Sequence, residues 1–249
     1  MKNFIFSSRP FVRVVVPVFL ALTLIGCGFV ISVPWIRNAD NNQVVNIGDS
    51  IFAFSGEIQD ILHSYAGKTF RRYATSGAEI TGGSLAPSIV RQYGIAKWDN
   101  PNIHTILMDG GGNDILLPAI AFDPHDCKTQ WYEGGRLSNS CKSLIDDIYV
   151  DTVNLLNQMA GDGVGKVIFQ GYYYTKNTWL MKLYSLKEAI DYGDTRLAQA
   201  CAYSAVDCTF IDPRPVINDE DVKMDAIHPK FSGSQKIADL VWPVIAPRL

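Results

Sequence analysis

Short apolar runs alternate with longer stretches of helical spacing over residues 43–249. Val44, Val45 and Ile47 stop at Gly48 and predict a short strand over 44–47. Further strands are expected at 69–74, 103–108, 167–169 and 209–211. Between them, apolar residues at three- and four-residue intervals predict helices over 58–65, 89–98, 144–159, 195–204 and 234–245. Strands separated by helices imply an α/β domain with a parallel sheet covered on both faces. In such sheets the ligand crevice lies beyond the carboxyl ends of the strands. The notable residues sit at those ends: Gly48-Asp49-Ser50, Ser76-Gly77, the glycine run 110–112 with Asn113 and Asp114, and Tyr172-Tyr173-Tyr174.

The first 35 residues break this pattern. Lys2, Arg9 and Arg13 precede an uncharged, strongly apolar stretch at 14–35, which reads as a signal peptide or membrane anchor. Leu24-Ile25-Gly26-Cys27 has the form of a lipoprotein cleavage site with Cys27 lipidated, but the residues after Cys27 stay apolar, and the whole stretch is long enough to span a bilayer uncleaved. Both versions place the domain outside the cytoplasmic membrane. Residues 36–42 are polar and turn-rich and read as a linker to the 43–249 domain.

The chain has 249 residues with five cysteines. Cys27 falls in the anchor; the other four form two local pairs, Cys127 with Cys141 and Cys201 with Cys208. In an exported domain an even count suggests disulfides, and local closure is the expected pairing among three possibilities. No C-x-x-C or nearby histidine pair supports a zinc site. A net charge of -3 gives no basic footprint for nucleic acid.

The candidate chemistry begins with Ser50, placed at a strand-to-helix turn near backbone N–H groups that can stabilise an oxyanion. A serine hydroxyl needs a base, and His228 is suited to it, with Asp225 three residues earlier to hold its tautomer. His63, His104 and His125 fall within structural patterns. The glycines before Asn113 let the backbone approach a ligand, and the Asn113 amide can donate to an oxyanion. No phosphate-loop pattern is present.

Four segments in order carry a resemblance: Gly48-Asp49-Ser50, Ser76-Gly77-Ala78, Gly111-Gly112-Asn113-Asp114, and Asp225-Ala226-Ile227-His228-Pro229. Together they resemble the SGNH hydrolases, also called GDSL esterases. The resemblance implies a flavodoxin-like three-layer α/β/α sandwich with a five-stranded parallel sheet. It implies Ser50 as nucleophile, His228 as base, Asp225 as its orienting carboxylate, and an oxyanion hole from the Ser50 and Gly77 N–H groups and the Asn113 side chain. No metal or organic cofactor is implied. Where the family often has an asparagine shortly before the glycine of the second segment, this chain has Tyr73-Ala74-Thr75-Ser76.

The expected function is hydrolysis of carboxylic esters, of lysophospholipids or short acyl groups, through an acyl-serine. A carbohydrate O-acetylesterase or envelope acyltransferase is the alternative. A binding module without turnover is the reading from another class, and the intact Ser50, Asn113, Asp225 and His228 argue against it. Residues 118–141 read as an insertion carrying Trp131 and Tyr132, which with Tyr172, Tyr173, Tyr174 and Trp179 either line a pocket or cover an apolar edge.

Overall fold

The computed structural model describes residues 31–249 except 84, 130–134, 180 and 182. Cys27 and most of the 14–35 stretch lie outside the described residues, as do Trp131 and Tyr132. Among the described residues no helix is long and apolar enough to cross a membrane.

Five strands form one parallel sheet: β1 (Asn41–Ile47), β2 (Phe70–Arg72), β3 (Thr105–Met108), β4 (Lys166–Gln170) and β5 (Cys208–Ile211), in the order β2-β1-β3-β4-β5. The helices between and after them are α1 (Ser50–Ala53), α2 (Glu57–Ala66), α3 (Ile89–Asp99), α4 (Gly112–Ala121), α5 (Asn139–Gly161), α6 (Lys187–Tyr203) and α7 (Phe231–Ile245). The period-two alternation of the strands divides their side chains between two cores. Val45, Ile47, Ile106, Met108, Val167 and Phe169 face α3, α5 and α6. Val44, Phe70, Leu107 and Ile168 face α1, α2 and α7. The result is the expected α/β/α sandwich with five parallel strands.

The chain leaves β1 toward β2 on one side, and the later strands add on the other side. The order therefore reverses between β1 and β3, and the crevice such a reversal opens lies at their carboxyl ends. Ser50 follows β1 and Asn113 follows β3.

Two differences from the expected elements bear on the site. No helix is expected from the glycine run after β3, yet α4 starts within it at Gly112, with Gly111 as its left-handed cap at φ +96°. Asn113 is therefore fixed on a helix. Upstream, β1 begins at Asn41, Ile36 forms an antiparallel bridge with Arg72, and the Trp35 indole donates to Thr75 Oγ1 at 3.2 Å. Polar residues of the 36–42 stretch thus extend the sheet.

Cys127 bonds to Cys141, and Cys201 to Cys208. The first bridge ties the segment after α4 to the start of α5, within a small apolar cluster with Leu137, Ile145 and Leu186. Its sequence separation is 14, for which closing the loop in the unfolded chain contributes about 3 kcal/mol. Cys127→Ser with Cys141→Ser is expected to lower the melting temperature in a thermal scan, and reduction of the wild type, which opens both bridges, to lower it at least as far.

Candidate active site

The turn from β1 into α1 is built around three buried groups. Gly48 has φ +147°, and a Cβ there would stand 2.0 Å from Asp109 Oδ1, so only glycine fits between the two strands. The register that pairs Ile47 with Met108 produces this approach. Gln92 on α3 then holds Gly48 from the side, accepting its N–H at 2.8 Å and donating to its carbonyl at 2.9 Å. The next residue, Asp49, caps α1 by accepting the Ile51 N–H at 2.9 Å. Ser50 thereby becomes the first residue of α1 and is 3% exposed.

Beneath this turn lies a pair of buried carboxyls. The Asp49 N–H donates to Asp109 Oδ1 at 2.6 Å, and the Tyr172 hydroxyl donates to Asp49 Oδ2 at 2.6 Å. Burial, reinforced by the Asp49 charge, pushes Asp109 well above the usual carboxylate range. Burial likewise raises the Tyr172 phenol, keeping it a donor.

His228 arrives from the loop before α7. That loop is closed by the Val222–Pro229 bridge and by the Lys223 N–H donating to the His228 carbonyl at 2.8 Å. Ala226 takes a left-handed φ of +71°, uncommon for a residue with a Cβ, and the turn lets Asp225 Oδ1 accept the N–H of Ile227 at 3.0 Å and of His228 at 2.9 Å. Asp225 Oδ2 accepts from His228 Nδ1 at 2.9 Å. Burial pushes the Asp225 carboxyl up, but its bonds and attraction to His228 outweigh this and hold it below the usual range. The His228 ring stacks on Phe54 with centroids 4.2 Å apart, and the Phe54 N–H donates to the Ser50 carbonyl. The imidazole is thus seated on the same turn that carries Ser50.

Ser50 and Asn113 line one cavity together with Gly111, Gly112, Tyr172, Tyr173 and Ile227. Asn113 Nδ2 donates one proton to the Ala78 carbonyl at 3.0 Å and has a second to offer. Gly77, at φ +80°, belongs to a turn fastened to both neighbours: the Thr75 N–H donates to the Gly48 carbonyl at 3.0 Å, and Ala78 receives Asn113. Gly77 itself does not line the cavity.

Of the aromatics after β4, Tyr172 and Tyr173 line the cavity, Tyr174 donates to Asp191, and Trp179 is exposed. The other histidines stand elsewhere: His63 Nε2 accepts the Phe70 N–H, and His125 bonds Ser140. Asp109, Gln92, Phe54 and the role of Tyr172 are not evident from the sequence. Only Asp109 carried a signal, as a carboxylate directly after a buried strand and before glycines.

Asp194 on α6 also lines the cavity and is 1% exposed. Burial pushes its carboxyl up to about 7, although the Tyr172 N–H and Arg214 pull the other way. Because the folded state holds this proton longer than the unfolded chain, the native advantage is complete below the ordinary Asp range near pH 4 and is lost as pH rises toward 7. Asp194→Asn keeps an acceptor for Tyr172. It is expected to flatten the fall in melting temperature between pH 5 and pH 8, checked by thermal scans of both proteins.

This five-stranded parallel α/β/α fold is shared with solved structures described as a GDSL-like lipase and a putative SGNH hydrolase. Among solved structures, the chain is similar to a GDSL-like lipase from Bacteroides thetaiotaomicron at 14% identity and TM-score 0.54, over 93% of this chain and 98% of that one. It is similar to a carbohydrate acetylesterase family member from Sinorhizobium meliloti at 13% identity and TM-score 0.58, over 82% and 98%. It also matches a carbohydrate esterase family 3 protein from Talaromyces cellulolyticus at 16% identity and TM-score 0.56, over 82% and 96%. No family model matches the sequence, and no curated protein matches it.

Proposed function

We propose that this chain is a serine esterase, with Ser50 as nucleophile, His228 as general base and Asp225 as the carboxylate that orients it. The observation that carries the reading is the seat of the Asp225-bonded imidazole on Phe54, at the end of the helical turn that begins with Ser50. With Nδ1–H given to Asp225, Nε2 is the nitrogen that takes a proton. It accepts the Ser50 proton as Oγ bonds to the ester carbonyl carbon. The oxyanion receives the Ser50 N–H and the second Asn113 Nδ2 proton. The carbon–oxygen bond to the alcohol then breaks, and the alcohol leaves with the proton from His228. Water, deprotonated by His228, attacks the acyl-serine and releases the carboxylic acid. The similar structures described as a lipase and as carbohydrate esterases support the ester class.

A fluorophosphonate probe tests the reading directly. Wild type is expected to gain the probe mass on the peptide containing Ser50, and Ser50→Ala is expected to stay unlabelled. An unlabelled wild type would leave a binding module as the better account.

We further propose that the domain works outside the cytoplasmic membrane, tethered by the 14–35 stretch. The two disulfides support an oxidising compartment. Mass spectrometry of the mature N-terminus separates a lipidated Cys27 from an uncleaved anchor.

A further inference from the structure

The cavity that begins at Ser50 and Asn113 continues between three helices. Its other walls are mostly aliphatic, Ile115 of α4, Ile145 and Ile148 of α5, and Ile190 and Leu197 of α6, with Asp194 and Arg196 the charged groups among them. An acetyl group needs none of that surface. A branched aliphatic wall offers no directed hydrogen bonds to a sugar, but it removes methylene groups from water.

One residue of the wall is out of place by the ordinary rules of helices. Gly193 sits inside α6, buried, among the poorest helix formers in an interior position. Its backbone is not left-handed, and a Cβ there would meet only Ile115 Cδ1, at an ordinary 3.8 Å. Neither a turn nor a close approach of backbone calls for glycine. What glycine does at 193 is leave the space between α6 and Ile115 empty, and that space is the cavity.

We infer that this cavity is an acyl-chain pocket for aliphatic esters longer than acetyl, and that Gly193 sets its depth. The inference rests on reading Ser50 as the acylated residue, since the chain then starts at Ser50 Oγ and runs along the apolar walls. Each buried methylene is worth roughly fourfold in kcat/KM if it is held in the transition state. Side chains larger than hydrogen at 193 shorten the chain that fits.

The test compares wild type, Gly193→Ala and Gly193→Leu on p-nitrophenyl acetate, butanoate, octanoate and decanoate. Binding of sodium octanoate to the same proteins is measured by titration calorimetry. Wild type is expected to favour octanoate over acetate by at least about tenfold in kcat/KM. Gly193→Leu is expected to lower that ratio by about tenfold or more and to weaken octanoate binding in step, with Gly193→Ala between them. Should Gly193→Leu not fold, Gly193→Ala and Ile148→Phe, which fills the pocket from α5, carry the comparison. Ester turnover with no dependence on chain length, and octanoate binding untouched by these substitutions, overturns the pocket and leaves the esterase reading standing. Octanoate binding that the substitutions abolish, in a protein that turns over no ester, sustains the pocket and overturns the esterase reading.

Discussion

Ser50→Ala is expected to lower kcat on p-nitrophenyl acetate by about 10⁴-fold or more, and His228→Ala by a comparable factor. The two groups act as one unit: without the imidazole the hydroxyl stays protonated, and without the hydroxyl the imidazole has nothing to activate. The double variant should therefore be little slower than either single one. Independent contributions would multiply instead, and that result would separate the two residues mechanistically. The residual rate should come from the oxyanion donors, which neither substitution removes. Both variants should melt close to wild type, because the α1 turn is held by Asp49, Gln92 and Asp109 rather than by the Ser50 hydroxyl. His228→Ala leaves a gap over Phe54 and should show the larger thermal shift of the two.

Those buried partners mark the limit of what the sequence reveals. Ser50, Asn113, Asp225 and His228 are legible because each lies in a short segment whose spacing already states a chemistry. Asp109 and Gln92 are not, because their contacts depend on which strands become neighbours and in what register. The pairing of Ile47 with Met108 is what brings Asp109 against Gly48. The core strands were legible for the opposite reason: a buried parallel strand is a continuous apolar run, and β3 and β4 have no other form. β1 extends three residues upstream of its apolar run because Asn41, Asn42 and Gln43 continue the strand beyond the core. The start of α6 at Lys187, ahead of the expected 195, escaped notice because its first turns carry charged and small residues against the cavity rather than a leucine stripe. α4 was hidden by its glycines, of which Gly111 in fact serves as the cap.

The same contrast explains why the site combines strain with desolvation. Ala226 in the left-handed region, glycine at 48 between two strands and a carboxyl pair under the nucleophile are each unfavourable alone. Each fixes one functional group. Ala226 turns the Asp225 oxygens toward two N–H groups, Gly48 admits Asp109, and Asp109 accepts the N–H of Asp49, the cap on which the Ser50 position depends. Such groups stay put during the reaction because the surrounding fold over-determines them, and that is the condition for preorganised stabilisation of a transition state.

Asp225→Asn is the second substitution with a large expected effect, about 10³-fold or more in kcat. Asp225 Oδ1 accepts two backbone N–H groups, so an asparagine at this position keeps its oxygen there and turns its NH₂ toward His228 Nδ1. A donor facing Nδ1 forces the imidazole proton onto Nε2, the nitrogen that must accept from Ser50. The fold should survive, since the two backbone bonds that close the turn are kept. Asp225→Ala separates the two duties of the residue. It removes the wrong-tautomer penalty but also the acceptor for two buried N–H groups, so it should retain more activity than the asparagine variant while melting lower. Circular dichroism melts and kcat on p-nitrophenyl acetate read the two effects independently. Because His228 holds the Asp225 carboxyl below its ordinary range, protonation of Asp225 should not limit wild-type activity until the pH falls below about 4. An acid limb set by Asp225 at or above that value, or near wild-type kcat in Asp225→Asn, would mean that the carboxylate only closes the turn and that another group orients the imidazole.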